Sequence, residues 1–95
     1  MNKTETAYAQ MLELLKRSDE IVDYRYEPFK LILAKSTTYT PDFLVVYSGH
    51  FECHEVKGFW RDDARVKIKV AAELFPWFKF VAVTLKRGQW GKEEF

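Results

Sequence analysis

Apolar residues recur at helical intervals at the head of the chain, at Tyr8, Met11, Leu12 and Leu15, a spacing that gathers side chains on one helix face. Asn2 is followed three residues later by Glu5, which is capping-box spacing, so a helix is predicted over residues 3–17. The stretch Asp23-Tyr-Arg-Tyr-Glu27 alternates like a short strand, Pro28 interrupts it, and residues 29–34 resume as an apolar run. Residues 35–38 read as a polar turn. Two further apolar runs, 39–47 and 51–58, flank Ser48-Gly49-His50 and predict a hairpin. A second helix is predicted from Asp62 or Asp63, whose carboxylate can cap it, to just before Pro76, which cannot continue it. Its apolar stripe is read as Val70, Ala71 and Leu74, with Val66 and Phe75 at the margins. Residues 79–85 read as a last strand, and 86–95 as a polar tail anchored by Trp90. The order α, three to four strands, α, β predicts an α+β domain.

Composition narrows this picture. A chain of 95 residues holds one core and not two, and at 47% hydrophobic and 17% aromatic it is too apolar to be disordered. The lone Cys53 excludes a disulfide within the chain and suits a reducing compartment. No signal peptide is evident, and no apolar stretch approaches the roughly 20 residues that span a bilayer. A soluble, cytoplasmic protein with no membrane partner is the expectation. The formal charge of +1 is no nucleic-acid signature by itself, but it is unevenly placed. Between positions 57 and 69, Lys57, Arg61, Arg65, Lys67 and Lys69 face only Asp62 and Asp63. A basic surface beside an acidic pocket suits a phosphodiester and a metal together; a solvated, salt-bridged helix face is the plainer alternative.

The candidate chemistry lies on the predicted hairpin. Asp42 follows Pro41 at the head of one run, and Glu55-Val56-Lys57 closes the next. Period-2 alternation places Glu55 and Lys57 on one face and Val56 on the other, so the turn at Gly49 can bring Asp42 beside them. Carboxylates held that close repel unless a cation neutralises them. Mg²⁺ needs only one or two carboxylates plus substrate phosphate; Asp42 and Glu55 can supply the carboxylates, and the backbone carbonyl of Val56 lies between the two side chains of that face. Lys57 can then orient an attacking water or stabilise the transition state. The set is a candidate hydrolytic site, although Glu-x-Lys triplets also end many exposed strands.

Glu5 shares a helix face with Tyr8, Leu12 and Leu15, so it points inward, either as a further catalytic carboxylate or merely closing the capping box. Lys67 sits one turn before the second helix's stripe and is read as reaching a phosphate or carboxylate of the site, the alternative being a stem along the core and a wet head. With Arg61 and Arg65 it makes up the expected DNA contacts. Glu13 falls on the polar face and receives no role. His50 and His54 lack zinc-ligand spacing and are read as structural. Cys53 has no base placed to activate it, and Trp60 and Trp77 are either core edges or a partner surface.

As an ordered set, Glu5 on a first helix, Pro41-Asp42, Glu55-Val56-Lys57 and Gly58-Phe59-Trp60 before an acidic and basic helix resemble the PD-(D/E)XK nuclease superfamily. Tyr39-Thr-Pro-Asp-Phe43, Glu55-Val-Lys-Gly58, Trp60, Asp62-Asp63 and Pro76 are similar, more narrowly, to the phage endonuclease I family of Holliday-junction resolvases. The resemblance implies a restriction-endonuclease-like αβββαβ core, with a mixed four-stranded sheet flanked by two helices. It further implies Asp42, Glu55 and the Val56 carbonyl as ligands of Mg²⁺ or Mn²⁺, Lys57 as catalytic lysine, Glu5 as helix carboxylate, branched DNA as substrate and a homodimer as the working form. No nucleotide cofactor is implied. This chain is shorter than those enzymes. The rival readings are a nuclease-like module that grips DNA or a phage partner without cutting, and a structural phage protein whose motifs are accidental.

Overall fold

The computed structural model describes residues 1–58 and 62–95, Asp62 by its backbone alone. In chain order the elements are α1 (Lys3–Arg17), β1 (Asp23–Tyr26), β2 (Leu31–Ala34), β3 (Thr37–Tyr39), β4 (Phe43–Val46), β5 (Phe51–Lys57), α2 (Asp62–Leu74), β6 (Phe78–Lys86) and β7 (Gln89–Glu94). Five strands form a mixed sheet ordered β1-β4-β5-β6-β7, and β2 and β3 form a separate hairpin. Among the described residues only β5 and β6 pair in parallel, and α2 lies in the crossover that a parallel pair requires.

α1 begins where the sequence predicts it. The Asn2 side chain accepts from the Glu5 amide at 2.8 Å, and the Asn2 amide donates to Glu5 Oε1 at 2.9 Å, so both halves of the capping box are made. Its Tyr8 and Leu12 bury against Phe43, Val45, Val56, Val81 and Val83 on one face of the sheet. On the other face, Ile68 and Ala71 of α2 close with Leu31 and Tyr39 of the small hairpin over Cys53 and Phe80. β5 is therefore covered on both sides: Val56 faces α1 and Cys53 faces α2. Alternation sets Glu55 and Lys57 on the α2 side with Cys53. Among the described residues, no helix is long and apolar enough to cross a membrane.

Several elements differ from expectation. The run 39–47 is not one strand but two in different sheets, because Pro41, fully buried, has no N–H to give to a ladder. Tyr39 thus ends the small hairpin, and the chain enters the main sheet only at Phe43. The turn before it is just Lys35-Ser36, with Ser36 at φ 60°, while Thr37 and Thr38 already pair with β2. The polar tail is a fifth strand, β7, paired to β6 through a two-residue turn in which Arg87 and Gly88 have φ 51° and 76°. Positive φ at both central residues matches the twist of the flanking strands, as in a type I′ hairpin. The α2 stripe is also shifted. Ile68 and Ala71 are buried, whereas Leu74 is 45% and Val66 56% exposed. The whole is a compact α+β fold with a five-stranded rather than a four-stranded sheet.

Candidate active site

The C-terminal end of β5 is where the candidate residues meet. The Val56 amide donates to Asp42 Oδ2 at 2.8 Å, which fixes the Asp42 carboxylate beside the backbone between Glu55 and Lys57. The ladder explains this arrangement. Tyr47 and His50 form a hydrogen-bonded pair, that character recurs every second residue through Phe43↔His54, and one step further it sets Pro41 opposite Val56. Pro41 cannot donate to the Val56 carbonyl, and the Asp42 side chain takes the Val56 amide. The same break that ends the strand therefore turns a carboxylate and a carbonyl oxygen toward one edge of β5.

Glu55 is 7% exposed and has both oxygens occupied. Its Oε2 lies 3.0 Å from Lys57 Nζ, and its Oε1 accepts from the Tyr39 hydroxyl at 2.8 Å. Burial and the Glu55 carboxylate together push the Asp42 pKa up to about 7, against the pull of the Val56 amide. Glu5 adds to that push and Lys57 opposes it. Burial favours the neutral form of Lys57, but Glu55, with Asp42 and Glu5 behind it, outweighs burial and holds its pKa above the ordinary value. Lys57 accordingly remains an ammonium at neutral pH and is not a proton acceptor there.

Two clefts open on either side of Lys57. One, of about 430 Å³, is lined by Asn2, Thr4 and Glu5 at the start of α1 and by Val56, Lys57 and Gly58. The other, of about 230 Å³, is lined by Tyr39, Glu55, Lys57 and Lys67. Asp63 and Ala64 at the start of α2 border both. Asp42 lines neither cleft. Glu5 is at once a capping residue and a cleft wall, and its Oε1 also accepts from Tyr26 at 3.3 Å. The cap and the position facing Lys57 thus coexist, which the reading of Glu5 as one or the other did not anticipate.

The remaining candidates divide. Lys67 does not extend from the middle of a buried stripe but is exposed, with Nζ donating to the Thr38 carbonyl at 3.2 Å on the rim of the smaller cleft. Arg65 points to the far edge of the sheet, where it grips Glu93 of β7 at 2.9 and 2.6 Å, so the structure does not bring it to the cluster. Arg61, like Phe59 and Trp60, lies outside the described residues. His54 is buried and bridges Tyr8 and Glu52, with His50 on the other Glu52 oxygen. Cys53 is buried and its thiol pKa is pushed up to about 12 by that burial. Trp77 is exposed.

The residue to which sequence reasoning gave no role is Tyr39, which enters only as the start of an apolar run and of the motif that runs to Phe43. Its contact with Glu55 depends on the small hairpin folding over the sheet, and no spacing along the chain signals that. Among the described residues, no group of three or more His, Cys, Asp or Glu side chains is arranged to hold a metal ion. Two carboxylates and a carbonyl oxygen are the donors that suit a hard ion keeping most of its waters, and burial together with the neighbouring Glu55 makes the negative charge of Asp42 costly. Comparison of the chain with family models, with curated proteins and with solved structures returned no match in any of the three.

Proposed function

We propose that the protein is a metal-dependent endonuclease of the PD-(D/E)XK kind, with a restriction-endonuclease-like core, that hydrolyses phosphodiester bonds in branched or otherwise distorted DNA. The observation that carries this reading is the hydrogen bond from the Val56 amide to Asp42, which sets one carboxylate between Glu55 and Lys57 on β5. Asp42, Glu55 and the Val56 carbonyl would hold Mg²⁺ or Mn²⁺. When bound, such an ion supplies an acidified water and charge neutralisation for the phosphoryl oxygens.

The chain's own groups do the rest. Lys57, held as an ammonium and lying between the two clefts, orients the attacking water or meets the charge that grows on the phosphate. Lys67 stands on the rim, where its ammonium can meet a neighbouring backbone phosphate. Glu5, already tied to Asn2 and Tyr26, is a fixed negative wall that confines the anion to the Lys57 side.

The test is cleavage of supercoiled and cruciform DNA in Mg²⁺ by the parent chain and by Asp42→Asn. A loss of at least about 100-fold in the variant is expected, the size typical of removing one preorganised electrostatic group. Equal cutting by both would overturn the proposal. One observation favours a second reading: Glu55 is already satisfied by Tyr39 and Lys57, as in a purely structural cluster. A non-cleaving DNA- or partner-binding module would retain DNA in EDTA and show no metal uptake by calorimetry.

A further inference from the structure

We infer that Tyr39 sets the metal preference of the Asp42–Glu55 site, by reserving one oxygen of Glu55 and so favouring a small octahedral ion over Ca²⁺. This rests on the metal site proposed above and adds to it a residue that touches no substrate. Tyr39 is 8% exposed, and its hydroxyl donates to Glu55 Oε1 at 2.8 Å.

Its position is also fixed from outside the sheet. Tyr39 pairs with Leu31 in the small hairpin, packs in the cluster of Ile68 and Phe80, and follows Thr38, whose carbonyl Lys67 holds. The phenol therefore cannot follow the carboxylate if Glu55 rotates. The two Glu55 oxygens are consequently unequal: Oε1 belongs to a neutral donor locked in the core, whereas Oε2 faces Lys57, a side chain 35% exposed that can swing into either cleft.

That inequality discriminates between cations. Ca²⁺ takes six to eight oxygens in a loose shell and often chelates a carboxylate through both, whereas Mg²⁺ demands a tight octahedron and binds carboxylates through one oxygen. Chelation by Glu55 would require Oε1 to give up the buried Tyr39 hydroxyl, leaving a buried donor unmade. Single-oxygen binding through Oε2 requires only that Lys57 move aside. Tyr39 thus leaves Mg²⁺ and Mn²⁺ unhindered and handicaps Ca²⁺. It is a positioning residue, acting through Glu55.

The experiment is calorimetric titration of Mg²⁺, Mn²⁺ and Ca²⁺ into the full chain, the Tyr39→Phe variant and the Asp42→Asn variant, with melting temperature measured alongside. The parent is expected to prefer Mn²⁺ and Mg²⁺, and Tyr39→Phe to shift the Mn²⁺:Ca²⁺ affinity ratio toward Ca²⁺ by about tenfold, the equivalent of one hydrogen bond. If Tyr39→Phe lowers the melting temperature while the ratio holds and Asp42→Asn abolishes uptake, this inference falls and the metal site stands. If the parent takes up none of the three ions, both fall together. Should Tyr39→Phe not fold, infrared difference spectra of the parent decide instead. A one-oxygen carboxylate signature with Mn²⁺ is expected, and a chelating signature with that ion would overturn the inference.

Discussion

Between about pH 4 and pH 7, the folded chain holds a proton on Asp42 that the unfolded chain has lost, because burial and Glu55 raise the folded pKa to about 7. By linkage, this group favours folding at the acid end of that window, and its contribution is lost as pH rises through about 7. Glu52 and His54 act in the opposite sense. Burial alone would raise the Glu52 pKa, but hydrogen bonds from His54 and His50 bring it down to about 2. Burial also keeps His54 neutral against the attraction of Glu52. Both of those contributions are lost as pH falls. Asp42→Asn keeps a side-chain oxygen for the Val56 amide and removes the titration. Its melting temperature relative to the parent is therefore expected to rise steadily from about pH 4.5 to about pH 8, and Mg²⁺ at the upper pH should stabilise the parent alone. Parallel pH profiles would contradict this account of Asp42. The sequence could mark Asp42 and Glu55 as candidates, one beside a proline and the other near the end of a strand pattern. It gave Tyr39 no role, because the contact with Glu55 arises from a hairpin folding across the sheet.

At the scale of elements, apolar periodicity located both helices, and on α2 it placed Ala71 correctly but not the residues that bury beside it. Val70, Ala71 and Leu74 form a plausible stripe by spacing, but the small hairpin covers the adjacent face, so Ile68 is buried beside Ala71 and Leu74 is left exposed. The contrast is measurable by urea unfolding. Leu12→Ala on α1, where the side chain is 1% exposed, is expected to cost about 2–5 kcal/mol. Leu74→Ala, at 45% exposure, is expected to change stability by no more than about 0.5 kcal/mol. Similar costs at the two positions would mean that the stripe read from spacing is the true one. The split of residues 39–47 has a single chemical cause in Pro41, and that break also frees the oxygens that make the site.

At the scale of the whole molecule, β7 closes the sheet beside β6 and ties it to both helices. Trp90 packs with its ring tilted against Tyr8 of α1, the ring centroids 5.0 Å apart, and Glu93 holds Arg65 of α2. A chain ended after Arg87 would expose β6 as a long apolar edge, which is a template for aggregation. Such a chain is expected to lose cooperative thermal unfolding and to associate in light scattering; a monomer melting like the parent would show that β7 is dispensable. Reading 86–95 as a tail missed this. The signal for the turn is weak in sequence, because Arg87-Gly88 lacks the Asn or Asp that usually precedes Gly in such hairpins.

What the chain determines by itself is local: the α1 cap from Asn2 and Glu5, the end of α2 before Pro76, the hairpin at Gly49, and the alternation that assigns Glu55 and Lys57 to one face. These follow from backbone chemistry and side-chain period within a few residues. Tertiary structure alone decides that Arg65 is spent on Glu93, that Glu5 both caps α1 and walls a cleft, and that Tyr39 divides the two oxygens of Glu55 between a buried phenol and a movable ammonium. Each of these joins groups brought together by the order of strands in the sheet, and strand order is fixed by burying two apolar faces at once rather than by spacing along the chain.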